Sequence, residues 1–223
     1  MSPQRRLVLV RHGVTEWNRE GRFQGHLDPP LSDAGRREAR LVGVRLAGAD
    51  GLRPTRIVSS SLSRALETAR AIGEAVGVAA EPDPRLMEIG QGAWEGHTTA
   101  ELEASDPVAY AAWRAAAGIR QPPGGEPIAS VVVRVTELLG AVMRDDDPSA
   151  TTCLVSHGGT LRVIANQLLD LGASPALDVD NASVSVVSRR GNAWHLERWN
   201  DTLHLLGIER THVDEAEGRP LAL

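Results

Sequence analysis

The segment Leu7-Val8-Leu9-Val10-Arg11-His12-Gly13 is the strongest indication of the fold. Its first four residues are apolar and rich in β-branched valine, which predicts a buried strand that ends where the polar residues begin. A second apolar run, Thr152 to Val155, also predicts a strand and leads into Ser156-His157-Gly158-Gly159. Both strands therefore deliver a histidine followed by a glycine at their carboxyl ends.

The segments between these strands show the spacing of apolar residues that is typical of helices. Ser32 is predicted to cap a helix that runs to about Ala49, and residues 56–58 are predicted to form another short strand. The serines at 59–61 are predicted to cap a helix that reaches Val76, before Gly77. The other predicted elements are helices at about 106–117, 128–143 and 160–171 and closing strands at 183–187 and 194–199. This alternation predicts an α/β fold, a three-layer α/β/α sandwich around a mainly parallel central sheet.

The length of 223 residues fits one large domain better than two small ones. We predict a single domain over residues 1–208. Proline, glycine and tryptophan interrupt the pattern at about residues 82–127, which we interpret as an insertion within that domain. Residues 209–223 are polar and are expected to form a C-terminal tail.

The composition argues against several classes of protein. The formal net charge of −5 does not indicate a nucleic-acid surface, and no apolar run approaches the roughly 20 residues that span a bilayer. Met1 to Arg6 is too short and polar for a signal peptide, and Cys153 has no second cysteine to pair with. We therefore expect a cytoplasmic protein with an inert buried thiol and with neither nucleic acid nor membrane as a partner.

Three predicted strands carry reactive or charged residues at the carboxyl edge of the sheet, where ligands bind in open α/β folds. The first leads to Arg11 and His12, the second leads through serines to Arg64, and a later one leads to His157. One histidine after a strand is usually structural, but two His-Gly junctions in corresponding positions favour a site. All 24 basic residues are arginine, which reflects either the codon usage of the genome or an anion site, because guanidinium groups pair with phosphate oxygens.

These motifs resemble the signatures of the histidine phosphatase superfamily, which includes cofactor-dependent phosphoglycerate mutases and many phosphatases. The main signature is Leu9-Val10-Arg11-His12-Gly13-Val14-Thr15-Glu16-Trp17-Asn18, and the resemblance extends over roughly residues 5–200. Supporting segments follow in the family's order: Pro30 to Gly35, Ser60 to Ala69, Glu88 with Gly92 to Gly96, and Val155 to Gly159. The resemblance implies a phosphoglycerate mutase-like fold and a site for phosphoryl transfer.

His12 is the nucleophile that the resemblance implies, and elementary chemistry agrees. An imidazole with a pKa of about 6.5 is largely neutral at physiological pH, so one ring nitrogen can attack phosphorus without a separate base. The other nitrogen must then donate a hydrogen bond, for which a nearby backbone carbonyl is the obvious acceptor. Arg11, Arg64 and His157 are predicted to stabilise the negative charge on the phosphoryl oxygens.

Glu88 occupies the position of the family's proton donor. The resemblance implies that it protonates the leaving oxygen and then activates the water that hydrolyses the phosphohistidine. Glu95 is the fallback acid, although we expect it to hold the loop. The positions carried over for substrate binding are Asn18, Gln24, Gly25 and Gly158.

Structural alternatives accompany several of these assignments. Arg64 could instead pair with Glu67 or Glu16 on a solvated face. The run Asp145-Asp146-Asp147-Pro148 is interpreted as a solvated turn, and the other histidines lack metal-ligand spacing, so we expect no metal and no cofactor. The aromatic and histidine side chains that could form a lid, or belong to a core, are Trp17, Phe23, His26, Tyr110 and Trp113. Glu126-Pro127 departs from the family's pattern and is expected to weaken a helix cap.

Three functions follow from these residues, in order of preference. The first is a phosphomonoester hydrolase that acts through a phosphohistidine on a small phosphorylated metabolite, such as a sugar phosphate or a phosphoglycerate derivative. The second is a cofactor-dependent phosphoglycerate mutase, but the insertion offers only Arg114 and Arg120 to hold a second phosphate. The third is a non-catalytic regulator that binds a phosphate ligand, against which stands the presence of every expected catalytic residue. The oligomeric state is open, with a homodimer allowed.

Overall fold

The structure is a computed structural model that describes residues 4–48, 51–115, 121–144, 147, 149–171 and 177–207. Within these ranges the strands are β1 (Arg6–Arg11), β2 (Arg56–Ser59), β3 (Ala80–Pro82), β4 (Thr151–Ser156), β5 (Val184–Arg190) and β6 (Ala193–Asp201). They form one six-stranded sheet in the order β3-β2-β4-β1-β5-β6. The four strands from β3 to β1 pair with one another in parallel. β5 pairs antiparallel with both of its neighbours, β1 and β6. The predicted mainly parallel sheet is confirmed, with an antiparallel edge.

Helices flank this sheet. They are α1 (Glu16–Arg19), α2 (Asp33–Ala47), α3 (Ser63–Val76), α4 (Thr99–Ser105), α5 (Pro107–Ala115), α6 (Ile128–Val142) and α7 (Gly158–Leu169). None of the helices in the described ranges is long and apolar enough to cross a membrane.

The layers follow from the alternation of side chains along β1. Leu7 and Leu9 lie in a core that includes residues of α6 and α7, whereas Val8 and Val10 lie in a second core with residues of α2 and α3. All four side chains are buried, as expected for a strand covered on both faces. The predicted three-layer α/β/α sandwich is therefore confirmed.

The start of α2 matches its prediction. The Ser32 hydroxyl accepts the Gly35 N–H at 3.1 Å and so satisfies one of the amide groups that a helix start leaves unpaired. The helix ends at Ala47, slightly before the predicted end.

The predicted cap of α3 is wrong. Its N-cap residue is Leu62, which has no side chain that can cap, and none of the serines at 59–61 is the N-cap. The carboxylate of Asp28, far away in sequence, instead accepts the Ser63 N–H at 2.8 Å. The predicted end is correct, because Gly77 has a φ of 73°, which favours glycine.

The predicted insertion contains α4 and α5, and its aromatic residues form a small core with Phe23 from the segment after β1. Phe23, Trp94, Leu102, Tyr110 and Trp113 are buried together, and the Phe23 and Trp113 rings meet edge to face with their centroids 5.5 Å apart. Phe23, Tyr110 and Trp113 therefore belong to a core, and their use as a lid is wrong. The predicted tail at 209–223 lies outside the described residues, and the division into domains stays a proposal.

Candidate active site

His12 lies directly after β1, and its ring is buried. Its Nδ1 is 2.7 Å from the carbonyl oxygen of Gly13. Because a carbonyl oxygen can only accept, Nδ1 must carry the hydrogen, and Nε2 is then unprotonated in the neutral ring. The backbone carbonyl expected from the sequence is thus that of the next residue, and it leaves Nε2 with its lone pair.

Gly13 allows this arrangement because the chain passes very close to the start of α2. A Cβ atom at Gly13 would meet the carbonyl oxygen of Gly35, well inside van der Waals contact. The Gly13 N–H also donates to Thr68 Oγ1 at 3.1 Å, and that hydroxyl donates to the Arg64 carbonyl at 2.8 Å. Thr68 therefore links the backbone after His12 to the first turn of α3.

His157 is the N-cap residue of α7, directly after β4. Its ring is fully buried, with its centroid 5.0 Å from that of His12. Its Nε2 lies 2.8 Å from the hydroxyl oxygen of Ser60, and its Nδ1 is buried without a partner within the described residues. The two His-Gly junctions thus meet, as predicted from their positions after parallel strands.

Arg64 projects from the first turn of α3 and is fully buried. It donates to the carbonyl oxygens of Leu27 and Gly25, each at 2.9 Å, and lies 3.6 Å from Asp28. The alternative pairing with Glu67 or Glu16 is wrong, because those carboxylates bind Arg36 and Arg19 instead. Burial lowers the pKa of Arg64 to about 10, against the opposing effect of Glu88, so the guanidinium stays charged at physiological pH.

Arg11 is the second cation beside the histidines. One of its terminal nitrogens donates to the carbonyl oxygen of Val179 at 2.5 Å. Its guanidinium lies close to the backbone of Gly158, where an added Cβ would be 3.6 Å from Arg11 Cζ. The guanidinium thus lies against the start of α7, where the helix dipole also favours an anion.

Both histidines are held neutral. Burial, followed by the positive charges of Arg64 and Arg11, lowers the pKa of His12 well below 6.5. Burial and the charge of Arg64 lower the pKa of His157 in the same direction. A buried pocket that keeps imidazole neutral beside two fixed guanidinium groups suits an anionic ligand and a nitrogen nucleophile.

The carboxyl group of Glu88 lies buried at the start of α7. It accepts the N–H groups of Ile89 at 2.9 Å, Thr160 at 3.1 Å and Gly159 at 3.3 Å. These bonds place it beside the turn that follows His157. The predicted acid, both histidines and both arginines therefore converge on one place.

Arg134 on α6 stabilises the loop that carries Glu88. It donates to the carbonyl oxygens of Arg85 at 2.7 Å, Met87 at 2.8 Å and Glu88 at 3.3 Å, and pairs with Glu126 at 2.9 Å. The departure at Glu126-Pro127 weakens the cap of α6, as predicted, because its N-cap has no side-chain bond. The glutamate itself serves to hold Arg134.

Three of the four residues predicted for substrate binding lie in the segment that follows β1, and the fourth, Gly158, begins α7. Asn18 accepts the Thr15 N–H at 3.0 Å, which uses its amide oxygen and leaves the amide hydrogens for a ligand. Gln24 is buried, and its Oε1 has no partner within the described residues. The Gly25 carbonyl holds Arg64. Glu95 accepts the N–H groups of His26 and Gln91, each at 2.9 Å, so it holds the loop as expected.

Besides Arg134, sequence reasoning missed two side chains that contact the histidines or their backbone. Asn181 donates to the carbonyl of His12 at 3.0 Å and to Asn18 Oδ1 at 3.3 Å. Ser60 binds His157. Ser60 stands within a recognised motif and could have been singled out, whereas Asn181 comes from the loop before β5 and carried no signal.

Cys153 is a buried free thiol, as expected from the sequence. Burial raises the pKa of the Cys153 thiol to about 12. Asp147 accepts the Ser149 N–H at 2.8 Å in a local turn, while its neighbours at 145, 146 and 148 lie outside the described residues. No group of three or more histidine, cysteine, aspartate or glutamate side chains within the described part of the chain could hold a metal ion.

Comparison with known proteins agrees with this geometry. A family model of the histidine phosphatase superfamily (branch 1) matches residues 7–202. The chain belongs to the histidine phosphatase superfamily. The family assignment made from the motifs is thus confirmed, and the superfamily match spans the sheet and every site residue described above.

Relatives within the superfamily include named phosphatases. Glucosyl-3-phosphoglycerate phosphatase of Mycobacterium tuberculosis is 37% identical over 215 residues, covering 88% of this chain and 94% of its own. Metal-independent phosphoserine phosphatase of Arabidopsis thaliana is 33% identical over 206 residues, covering 91% of this chain and 84% of its own. The solved structure of mycobacterial glucosyl-3-phosphoglycerate phosphatase in complex with VO3 superimposes with a TM-score of 0.80 at 37% identity, covering 89% and 100% of the two chains.

Proposed function

We propose that this chain is a phosphomonoester hydrolase that removes phosphate from a small phosphorylated metabolite through a phosphohistidine at His12. The observation that carries the proposal is the state of the His12 ring. Its Nδ1 donates to the Gly13 carbonyl at 2.7 Å, which leaves an Nε2 lone pair inside a buried site that two arginines make positive.

In the first step, Nε2 attacks phosphorus as the bond to the leaving oxygen breaks. Negative charge on the equatorial oxygens is stabilised by Arg11, Arg64 and the ring of His157, which are fixed before substrate arrives. Because each guanidinium is already tied to a backbone carbonyl, little reorganisation is needed during the reaction. This fixed charge supplies what a metal ion would otherwise supply, which supports a metal-independent reaction without a cofactor.

Glu88 handles the protons. It can give a proton to the leaving oxygen and then, as a carboxylate, accept one from the water that attacks the phosphohistidine. Its three bonds to backbone N–H groups and the brace from Arg134 fix its position relative to His157. The second step releases inorganic phosphate and restores neutral His12.

The substrate class follows from the site and its relatives. Two relatives are named for glucosyl-3-phosphoglycerate and phosphoserine, both small phosphomonoesters. We infer a substrate of that size, such as a sugar phosphate or a phosphoglycerate derivative. The cytoplasmic location, the single domain with its tail and the homodimer stay predictions from the sequence.

The mutase alternative requires cations for a second phosphate. Arg114 is exposed and lies 6.0 Å from the centroid of the Tyr110 ring, on the surface of the small aromatic core. Arg120 lies outside the described residues. The described site thus offers one set of phosphate donors, around His12, which favours hydrolysis.

A panel of phosphomonoesters assayed in the presence of a chelator tests the proposal. The panel should include phosphoserine, sugar phosphates and 3-phosphoglycerate, the last with and without its bisphosphate. We expect release of inorganic phosphate that is unaffected by the chelator. Isomerisation of 3-phosphoglycerate without phosphate release would establish the mutase instead, and binding without turnover would establish the regulator.

A further inference from the structure

Ser60 follows β2 and is fully buried, with its hydroxyl directed at the second histidine. Its Oγ lies 2.8 Å from Nε2 of His157 and accepts the Leu62 N–H at 3.2 Å. Because an amide N–H can only donate, that bond uses a lone pair of the oxygen. The hydroxyl hydrogen therefore remains available for His157.

The ring of His157 is neutral and carries a single hydrogen. Burial, with the charge of Arg64 next in effect, lowers its pKa well below 6.5. Nδ1 is buried and has no hydrogen-bond partner among the described residues. The chemistry of His157 thus depends on which of its two nitrogens bears the hydrogen.

The two tautomers satisfy the surrounding groups unequally. With the hydrogen on Nε2, the ring would donate to Ser60, and the serine hydrogen would have no acceptor within the described residues. With the hydrogen on Nδ1, Ser60 donates to Nε2, and every polar group except Nδ1–H is satisfied. Each arrangement leaves one buried hydrogen unpaired, but the first also leaves the lone pair of Nδ1 without a donor among the described residues. The second arrangement therefore satisfies one more polar group and is favoured.

The electrostatics of the site point the same way. Arg11, Arg64 and the positive end of the α7 helix dipole surround the histidines with positive charge, which favours an anionic ligand. A lone pair at Nδ1 would repel such a ligand, whereas a hydrogen at Nδ1 would bind it. The Nδ1–H group of His157, which has no partner among the described residues, can then donate a hydrogen bond to an anionic ligand.

We propose that Ser60 is a positioning residue that holds His157 in the tautomer with its hydrogen on Nδ1, so that a neutral ring donates to the phosphoryl group. The identity of the ligand rests on the proposed function. The tautomer, however, is a property of the free protein. It can therefore be tested without any substrate.

Nitrogen-15 NMR of the histidine rings tests this directly. Two-bond proton–nitrogen correlation spectra of the free protein distinguish the two neutral tautomers, and His157→Asn assigns the signals. We expect Nδ1 of His157 to be protonated and Nε2 to be an acceptor. In Ser60→Ala the ring should shift towards the Nε2–H form. Ser59→Ala is the matched control, because the buried Ser59 hydroxyl donates to the Ser60 carbonyl at 3.0 Å, and the spectrum of this variant should be unchanged.

Function provides a second readout. We expect Ser60→Ala to lower kcat about ten- to a hundredfold and to weaken vanadate binding, as is typical when a partner that orients a catalytic histidine is removed. Ser60→Thr, which keeps the hydroxyl, should retain the Nδ1–H form.

The proposal is overturned by an Nε2–H tautomer in the unmodified protein, which needs no variant to fold, or by an unchanged tautomer in Ser60→Ala. The predicted tautomer in a protein without phosphatase activity would support this inference and sink the proposed function. The two failures are therefore distinguishable.

Discussion

The two His-Gly junctions stand at the ends of the adjacent parallel strands β1 and β4, yet their rings are held by opposite nitrogens. His12 is held through Nδ1 by the backbone carbonyl of Gly13, which leaves Nε2 unpaired. His157 is held through Nε2 by the hydroxyl of Ser60, which leaves Nδ1 unpaired. Both rings are buried and have a lowered pKa. Residue type and position are the same at the two junctions, so the hydrogen-bond partner is what distinguishes the proposed nucleophile from the proposed donor.

The nature of each partner explains how firmly each role is fixed. A carbonyl oxygen has no hydrogen to give, so the His12 tautomer is dictated by the backbone and no single side chain can change it. A hydroxyl can donate or accept, so the His157 tautomer depends on Ser60 and on its bond with Leu62. We therefore expect that only a substitution of His12 itself abolishes its tautomer, whereas a substitution of Ser60 can change the tautomer of His157.

Removing the nucleophile should have the largest effect. His12→Ala is expected to lower kcat by roughly 10⁴-fold or more, because no other group can form the covalent intermediate. Quenching in alkaline detergent, which preserves the acid-labile phosphohistidine, after mixing with a phosphorus-32 substrate should find no labelled protein. His195→Ala, on the exposed face of β6, is the matched control and should keep both turnover and label. Full turnover in His12→Ala would contradict the proposal that His12, and not His157, is the nucleophile.

The acid beside the second junction comes next. Glu88→Gln keeps the shape of the side chain but cannot donate a proton, so kcat/KM for alkyl phosphates, which reports the first transfer step, should fall by about 10³-fold. An aryl ester such as p-nitrophenyl phosphate needs little protonation and should lose far less. The ratio of the two rates is the measurement. An equal loss for both esters would show that Glu88 does not protonate the leaving group.

Amide side chains can separate the two nitrogens of His157. Asparagine places its NH₂ near the position of Nδ1, whereas glutamine places it near Nε2. We expect His157→Gln to lower kcat/KM by about 10²-fold, as for loss of an oxyanion donor, and His157→Asn to lose clearly less. Thermal unfolding of both variants controls for stability. The reverse order of activities would mean that Nε2 faces the substrate.

The smallest effect concerns stability against pH. The unfolded chain takes up protons on its histidines below a pH of about 6.5, while His12 and His157 stay neutral in the native state. The unfolded state then binds more protons, so the free energy of unfolding falls as the pH drops below that value. Each histidine contributes up to ~1.4 kcal/mol per pH unit.

Urea unfolding at about pH 5.5 and about pH 7 measures this difference. In His157→Asn the fall should be smaller by about 1 kcal/mol, because one of the two buried histidines is gone. Ser59→Ala provides a buried control that does not titrate, and its fall should equal that of the unmodified protein. A fall in His157→Asn as large as in the unmodified protein would mean that His157 is protonated in the native state.

Local patterns predicted most of the helices and strands because those segments obey simple rules. The run Leu7 to Val10 is apolar without interruption because helices cover both faces of β1. Ser32 caps α2 and Gly77 ends α3 by contacts within a few residues of the chain. The cap of α3 was mispredicted because its donor groups are satisfied by Asp28, which lies on a distant loop.

The residues of the site likewise comprise some that the sequence could predict and some that it could not. His12, Arg11, Arg64, Glu88 and His157 could be named because parallel strands end at one edge, and because their motifs resemble those of a known superfamily. Asn181 and Arg134 could not be named, since each acts by contacts with backbone groups more than 40 residues away. Such contacts leave no local pattern.

The spacing of apolar residues and the order of the motifs were sufficient to predict the α/β sandwich, the family and the residues that meet at the sheet edge. Both can be read along the chain without knowledge of its fold. The surroundings of those residues became visible only in the folded structure. It showed that Phe23 and Trp113 form a core, that Arg64 is buried, and that the two histidines offer opposite nitrogens. The physical reason is that burial and hydrogen-bond partners set protonation and tautomer, and both arise from residues brought together across the fold.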